Sequence, residues 1–332
     1  MKIRRLACWN VVVLAVGMSL VLSPAVGAVS ARTAAPLGTS SAVQTYVAMG
    51  DSYSAGEGNP PFYNGSDVES GTTDACHRSP KAYPALLAAK LGLIFKFAAC
   101  SGATTGNIWN SGHAPETVAT DPEGLQIDQL STLTKIVTIS IGGNDLGFSD
   151  VLKSCILLLS CLNASKTDTN VKDIGQHIGQ LVGVLINTYR EIHTKAPNAT
   201  IYVLGYPYVI PPHPTTAEDL GSCGVTSGLL LDSLGYLAPY EIDLDNAIAA
   251  SVGNVASIAK IHYVNPNATG VAWSWIGHDI CSKDSWVYPV ENKQPTLYSF
   301  HPTAQGQVEL AEAFFADGIQ AAAAASNSQP AR

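Results

Sequence analysis

The fold follows first from residues 45–58, which read TYVAMGDSYSAGEG. The opening TYVAM combines β-branched, aromatic and aliphatic side chains, so it predicts a short buried strand that ends at Gly50. Glycine and small polar residues then replace the apolar run, as is typical of a turn at a strand end. Ser52 therefore lies just beyond a predicted strand, flanked by glycines, where its side chain can project into a cleft.

Similar apolar runs alternate with helical patterns along the rest of the chain. The predicted strands are residues 45–49, 94–99, 135–141, 200–204 and 260–264, and the predicted helices are residues 82–91, 171–195, 241–258 and 303–325. This alternation predicts a three-layer α/β/α fold with a flavodoxin-like parallel sheet of five strands. The segments 53–80, 103–125, 146–170 and 206–240 are predicted to be irregular. In such sheets, functional residues gather at the carboxyl ends of the strands.

The first 31 residues follow a different pattern. Three basic residues precede an apolar run from Val11 to Leu22, and small residues follow at 26–31. This is the layout of a cleavable secretory signal. The alternative is a retained membrane anchor, but the run is shorter than the roughly 20 residues that an anchor needs. We expect a signal peptide at 1–31, a disordered leader at 32–43, a single domain at 44–325, a disordered tail at 326–332 and an extracellular protein.

The charge balance disfavours two kinds of partner. Without Lys2, Arg4 and Arg5, the 18 basic side chains become 15 against 26 acidic ones, a net charge of −11. An acidic surface disfavours nucleic acid and anionic lipid headgroups, but it leaves neutral esters as possible ligands. We therefore expect no nucleic-acid partner and no stable insertion into a membrane, and we expect a monomer.

Six of the seven cysteines lie beyond the predicted signal peptide. An even number in an exported protein predicts three disulfides, with fifteen possible pairings. The spacings favour the sequential pairing Cys76–Cys100, Cys155–Cys161 and Cys223–Cys281. A zinc site is the alternative, but the sequence contains no C-x-x-C pair and no suitably spaced histidine. We therefore expect no metal.

Four residues in short motifs have side chains or backbone groups suited to catalysis. Ser52 is a nucleophile if a base takes its proton, or it simply caps a helix. Gly102 can bring its backbone N–H close to a ligand, or it is an ordinary turn residue. Asn144 offers an amide donor to a developing oxyanion, or it closes a turn. His301 has the near-neutral titration that a general base needs, or it is structural.

Taken together and in this order, the four motifs resemble those of the SGNH (GDSL-type) serine hydrolases. That family is named for the Ser, Gly, Asn and His of its sequence blocks. The opening Gly-Asp-Ser-Tyr-Ser-Ala-Gly, the six cysteines and the closing Ser-Phe-His-Pro are most similar to those of secreted actinobacterial esterases and lipases. The resemblance covers about residues 45–320, and it implies an ester hydrolase of the SGNH fold that acts on a small-molecule or lipid ester and needs no cofactor.

The resemblance also implies a role for each matching residue. Ser52 would be the nucleophile and His301 the base. The oxyanion hole would consist of the backbone N–H groups of Ser52 and Gly102 and the side chain of Asn144.

One position departs from the family pattern. The aspartate that usually stands three residues before the histidine is Tyr298 here. Another group must therefore hold the Nδ1–H of His301. We expect the main-chain carbonyl of Ser299, which would give a Ser–His dyad, with the Asp279 carboxylate as the alternative.

The sequence leaves the ester itself open. Apolar residues in the long loops either line an acyl groove or form the buried undersides of the loops: Tyr53, Phe62, Tyr63, Ile108, Trp109, Leu146 and Phe148. A groove would favour a lipase or a phospholipase A-like enzyme. A carbohydrate acetyl esterase is the alternative, in which Trp273 and Trp275 would stack on sugar rings unless they are buried. A third possibility is a non-catalytic secreted binding protein that has kept the fold.

Overall fold

The structure is a computed structural model of the 332-residue chain, and it describes residues 43–64, 66, 76–110, 124–148, 151, 169–212, 228–289 and 298–325. These residues belong to one unit, Ala42–Arg332. The predicted signal peptide, nearly all of the predicted leader and the predicted tail lie outside the described residues. Within the described part, none of the helices combines the length and the apolar character needed to cross a membrane.

A five-stranded parallel sheet forms the centre of the fold, as predicted. Its order is β2-β1-β3-β4-β5, and its strands are β1 (Thr45–Gly50), β2 (Ile94–Phe97), β3 (Thr134–Ser140), β4 (Thr200–Leu204) and β5 (Lys260–Val264). Every residue of β1 and β3 is buried. Strands that are covered on both faces must hide both sets of side chains, which explains why β1 reads as a nearly continuous apolar run. In β3 the buried polar side chains of Thr134, Thr138 and Ser140 form hydrogen bonds inside the protein.

Helices form a layer on each face of the sheet. They are α1 (Ser52–Ala55), α2 (Tyr83–Leu91), α3 (Thr105–Trp109), α4 (Thr169–Lys195), α5 (Gly228–Val255), α6 (Ala304–Ala316) and α7 (Ile319–Ala324). Helix α2 packs with α6 and α7, whereas α4 packs with α3 and α5. The predicted α/β/α architecture is therefore confirmed.

Two helices differ from their predicted bounds by more than two residues. Helix α5 begins at Gly228 rather than at residue 241, and it continues through Pro239. A proline lacks the N–H for the helical ladder, but here Leu237, Ala238 and Leu244 are buried and α5 packs along α4. The predicted terminal helix is divided into α6 and α7 at Gly318, which has a left-handed backbone.

The strand order creates a crevice between β1 and β3, at the carboxyl ends of the strands. The chain passes from β1 to β2 on one side and then crosses to β3 on the other side of β1. In doubly wound sheets, ligands bind at such a reversal, outside the carboxyl ends of the strands. Ser52 follows β1 and Asn144 lies just beyond β3. Two predicted site residues therefore lie at this crevice.

Candidate active site

Ser52 is presented by a tight connection between β1 and α1. Gly50 has a φ of 121°, and a Cβ added there would lie 2.3 Å from the Ser140 carbonyl oxygen. Only glycine permits this approach. Asp51 then caps α1, because its Oδ1 accepts a hydrogen bond of 3.1 Å from the Tyr53 N–H. Ser52 is the first helical residue, so its own N–H lies ahead of the helical hydrogen-bond ladder.

The predicted nucleophile and base meet in the folded chain. His301 Nε2 lies 2.9 Å from Ser52 Oγ, although 249 positions separate the two residues. This is an ordinary hydrogen-bond distance. An imidazole nitrogen in this place can take the hydroxyl proton while the oxygen attacks an electrophile.

A strained turn holds His301 in position. Phe300, the residue before it, has a φ of 68°, a left-handed backbone that is unusual for a bulky side chain. The His301 N–H closes the turn onto the Tyr298 carbonyl at 3.1 Å, and the Phe300 N–H donates to the Tyr288 carbonyl at 3.0 Å. These bonds offset a strain of about 1–3 kcal/mol. The histidine is thus fixed by the backbone around it.

The turn also decides which carbonyl orients the imidazole. The Tyr298 oxygen lies 3.3 Å from His301 Nδ1, so the backbone carbonyl in contact with the imidazole is that of Tyr298 and not, as predicted from the sequence, that of Ser299. The reason is that a turn from 298 to 301 directs the carbonyl of its first residue towards its last. Ser299 instead donates its hydroxyl to the Pro289 carbonyl. Tyr298 occupies the family's aspartate position, and its main chain makes the contact there.

The alternative carboxylate, Asp279, does not contact His301 in the described structure. Its Oδ1 accepts a hydrogen bond of 2.9 Å from the Cys281 N–H, and the residue is buried. Asp279 therefore stabilises its own loop.

Gly102 and Asn144 are brought together beside the nucleophile's strand. Gly102 is the third residue of a turn that the Ala103 N–H closes onto the Cys100 carbonyl, and its φ is 80°. The Gly102 N–H donates no hydrogen bond to any residue that the structure describes. Asn144 Nδ2 donates to the Ala103 carbonyl at 2.9 Å, which leaves its second amide hydrogen for a ligand. Both groups can donate to an oxygen that gains negative charge.

A buried hydrogen-bond network joins the ends of β1 and β3. The Tyr206 hydroxyl donates to Asp51 Oδ2 and accepts a hydrogen bond of 3.0 Å from the Gly143 N–H. The Ser140 hydroxyl donates to Asp51 Oδ1 at 3.0 Å. Burial raises the pKa of Asp51 to about 6, against the opposing effect of these hydrogen bonds. Tyr206 thereby connects the Ser52 turn to the residue before Asn144, and the sequence carried no signal for this contact.

Two further side chains support the histidine loop. The Tyr53 hydroxyl donates to the Phe300 carbonyl at 2.7 Å, and its ring centroid lies 5.5 Å from that of His301. Asn59 Nδ2 donates to the Pro302 carbonyl at 2.9 Å. Tyr53 was a candidate for an acyl groove, but its hydroxyl is committed to this support. Asn59 lies in a segment that was predicted to be irregular, and nothing marked it in advance.

Most of the other candidate groove residues serve the packing of the loops. Ile108 and Leu146 are buried in the core, and Trp109 Nε1 donates to the Thr188 hydroxyl at 3.1 Å. Phe62 stacks on His77 with centroids 4.7 Å apart. For these residues, the interpretation as the undersides of loops is the better one.

The two tryptophans that were candidates for stacking on sugars differ in their burial. Trp275 is fully buried and packs edge-on against Trp286, so stacking on a sugar is wrong for this residue. Trp273 is partly buried.

The cysteine prediction is confirmed for one pair. Cys76 and Cys100 form a disulfide, and Cys281 is also disulfide-bonded. The other predicted cysteines, Cys155, Cys161 and Cys223, lie outside the described residues. Over the described ranges, no three His, Cys, Asp or Glu side chains are grouped so that they could hold a metal ion.

The site therefore combines a serine hydroxyl, an imidazole and amide donors at the crevice of a parallel sheet. Such a combination can transfer an acyl group through a covalent ester on the serine. This chemistry defines the class of serine acyl hydrolases.

The chain belongs to the GDSL-like lipase/acylhydrolase family, whose model matches residues 48–308. It is 33% identical over 298 residues to Lipase 1 of Streptomyces coelicolor, covering 89% of this chain and 91% of the relative. It is 34% identical over 301 residues to a lipase of Streptomyces rimosus, covering 88% of this chain and 93% of the relative. The protein is an ester-hydrolysing enzyme.

Solved structures agree with this assignment. The crystal structure of phospholipase A1 from Streptomyces albidoflavus NA297 superimposes with a TM-score of 0.63 and 31% identity, covering 83% of this chain and 99% of that one. The extracellular lipase from Streptomyces rimosus gives a TM-score of 0.61 and 29% identity, covering 82% of this chain and 99% of that one.

Proposed function

We propose that the protein is a secreted lipase or esterase that cleaves carboxylic esters through an acyl-enzyme on Ser52, with His301 as the general base. The observation that carries the proposal is the 2.9 Å contact between Ser52 Oγ and His301 Nε2 at the crevice of the sheet. Ser52 also stands where a nucleophile can be reached by a ligand at the carboxyl ends of the strands.

In the first half of the reaction, His301 accepts the Ser52 proton as Oγ attacks the ester carbonyl. The tetrahedral intermediate collapses when the imidazolium returns that proton to the leaving alcohol. In the second half, His301 activates a water molecule that attacks the acyl-enzyme and releases the acid. The Tyr298 carbonyl keeps the imidazole in the useful tautomer, because it accepts from Nδ1–H. A neutral carbonyl stabilises the imidazolium less than a carboxylate would.

The oxyanion of each intermediate is assigned to three donors, namely the N–H groups of Ser52 and Gly102 and the amide of Asn144. Their support is the contact of Asn144 Nδ2 with the carbonyl next to Gly102. Each such donor typically supplies about 3–4 kcal/mol to the transition state.

The proposed substrates are neutral fatty-acyl esters, with phospholipids of no net charge included. Two observations support this choice: the relatives named above are lipases and a phospholipase A1, and the chain carries a formal net charge of −8, which disfavours anionic surfaces. An extracellular location is supported by the secretory pattern at the N-terminus and by the Cys76–Cys100 disulfide, since disulfides persist in oxidising compartments.

Covalent labelling tests the mechanism. A fluorophosphonate should label the wild-type protein at Ser52 alone, and both Ser52→Ala and His301→Ala should abolish labelling while the circular dichroism stays native. Labelling at another serine, or full labelling of the His301→Ala protein, would show that the assignment is wrong.

A comparison of acyl lengths tests the substrate class. The enzyme should hydrolyse p-nitrophenyl decanoate with a higher kcat/KM than p-nitrophenyl acetate. A strong preference for acetate would instead support the carbohydrate acetyl esterase. A folded protein that hydrolyses neither ester and is not labelled would support the non-catalytic binding protein.

A further inference from the structure

We propose that Glu57 is a positioning residue for the oxyanion hole and that it acts on Gly102 through the hydroxyl of Ser101. This inference rests on the proposed function. The sequence placed Glu57 close to the nucleophile but indicated no role for it.

Glu57 is a buried carboxylate with a full set of partners. It lies one residue beyond the glycine that ends α1, and 1% of its surface is exposed. Its Oε2 accepts a hydrogen bond from the Ser101 hydroxyl and lies 2.7 Å from His77 Nδ1. Its Oε1 accepts a bond of 3.3 Å from the Gly58 N–H. A buried carboxylate is tolerated only when it is paired in this way.

The contact with Ser101 matters because of the residue that follows it. Gly102 has no side chain, so its N–H can be aimed only by the residues on either side of it. On one side, Ala103 is held by the Asn144 amide. On the other side, Ser101 donates its N–H to the Cys76 carbonyl at 3.1 Å and its hydroxyl to Glu57. Glu57 therefore holds the Ser101 side chain in the half of the turn that Asn144 does not reach, next to the Cys76–Cys100 disulfide.

The two oxygens of the Glu57 side chain suit this task. A carboxylate only accepts hydrogen bonds, so the hydroxyl of Ser101 and the Nδ1–H of His77 can both point at one oxygen. His77 has a left-handed backbone with a φ of 52° and stacks on Phe62. An amide in place of the carboxylate would turn its NH2 group either towards the Gly58 N–H or towards both the Ser101 hydroxyl and His77 Nδ1.

Loss of this support should show as weaker binding of the transition state. A misaimed oxyanion donor leaves substrate binding unchanged and slows the chemical step. We expect Ser101→Ala to lower kcat about tenfold to thirtyfold with KM unchanged, a fraction of the roughly 10²–10³ that the removal of a donor costs. Glu57→Gln should act in the same direction. Because both changes break one link, the effects of the double variant should fall well short of additive.

A transition-state analogue distinguishes this role from a merely structural one. An aliphatic trifluoromethyl ketone adds to the serine and forms an anionic hemiketal, whose oxygen must occupy the oxyanion hole. Its affinity should fall in parallel with kcat/KM in Ser101→Ala and Glu57→Gln. Thr45→Val is the matched control. It removes a buried hydroxyl that bonds Thr134 at the opposite edge of the sheet, so it should lower stability and leave kcat and inhibitor affinity unchanged.

The outcomes are separable. Wild-type kcat and inhibitor affinity in Ser101→Ala would overturn the positioning role, as would additive effects in the double variant, while the proposed function would stand. A wild-type protein that is not labelled at Ser52 would instead refute the proposed function. If Glu57→Gln does not fold, Ser101→Ala decides alone, because it removes one partly buried hydroxyl.

Discussion

Removal of the Tyr206 hydroxyl should destabilise the enzyme, and more at alkaline than at acidic pH. The hydroxyl donates to the buried Asp51 carboxylate and accepts from the Gly143 N–H. Tyr206→Phe therefore leaves a charged acceptor and a backbone donor without their partner.

The magnitude follows from the state of Asp51. Burial raises its pKa from 3.8 to about 6, so the folded protein retains a proton that the unfolded chain has already released, and stability falls as pH rises from about 4 to about 6. Above that range the carboxylate is charged. A hydrogen bond to a charged group contributes about 1.5–3 kcal/mol, against about 0.5–1.5 kcal/mol for a neutral one. The loss should therefore be about 1–2 kcal/mol larger at pH 8.5 than at pH 5.5.

The total loss also contains a contribution that does not depend on pH. A buried N–H without an acceptor costs about 1–3 kcal/mol, and this applies to Gly143 at either pH. At pH 8.5 the free energy of unfolding should thus fall by about 3–5 kcal/mol. Urea unfolding of both proteins at the two pH values measures this, provided that the slope m is unchanged.

The chain provides a matched control in Tyr189. This tyrosine is fully buried, and among the described residues its hydroxyl has no hydrogen-bond partner. Tyr189→Phe makes the same chemical change and should leave stability unchanged or slightly higher. A loss in Tyr206→Phe that is equal at both pH values, or an equal loss in Tyr189→Phe, would refute the reasoning.

Three other changes give sharp expectations. Asn144→Ala should lower kcat by about two to three decades with little change in KM, and unchanged steady-state kinetics in a folded variant would remove Asn144 from the oxyanion hole. Tyr298→Asp should move the acid limb of the kcat/KM profile to higher pH, because a carboxylate favours the imidazolium of His301. Tyr298→Asn is its control and should cause no such shift. Gly50→Ala should lower the free energy of unfolding by about 3 kcal/mol or more in urea titrations, since its Cβ would meet the Ser140 carbonyl oxygen; native stability would show that the connection can relax.

The sequence predicted the fold well where local pattern and burial agree. The run at 45–49 is almost entirely apolar because β1 is covered on both faces. The run 135–141 was recognised from its β-branched residues, although buried polar side chains interrupt it. The start of α5 was missed because Pro239 breaks the helical pattern. Its neighbours are nevertheless buried, and packing against α4 continues the helix past the proline.

The proposed site residues stand in short motifs that are visible in the sequence: Ser52, Gly102 and Asn144 follow strands, and His301 lies shortly before α6. The hydrogen bonds that hold these residues in place could not be predicted from the sequence. The carbonyl that faces His301 is determined by the left-handed backbone of Phe300. That conformation is rare for a bulky aromatic residue, so the sequence does not predict it.

The sequence by itself determined a parallel α/β sheet and the types of residue at its carboxyl edge. Both are local properties, since a strand or a turn is specified by residues within a few positions of one another. Only the tertiary structure decided that Tyr206 bonds Asp51 and that Glu57 bonds Ser101. The two residues of each pair are 155 and 44 positions apart. A hydroxyl or carboxylate in a loop belongs to no periodic pattern, so its hydrogen-bond partner cannot be predicted before the chain has folded.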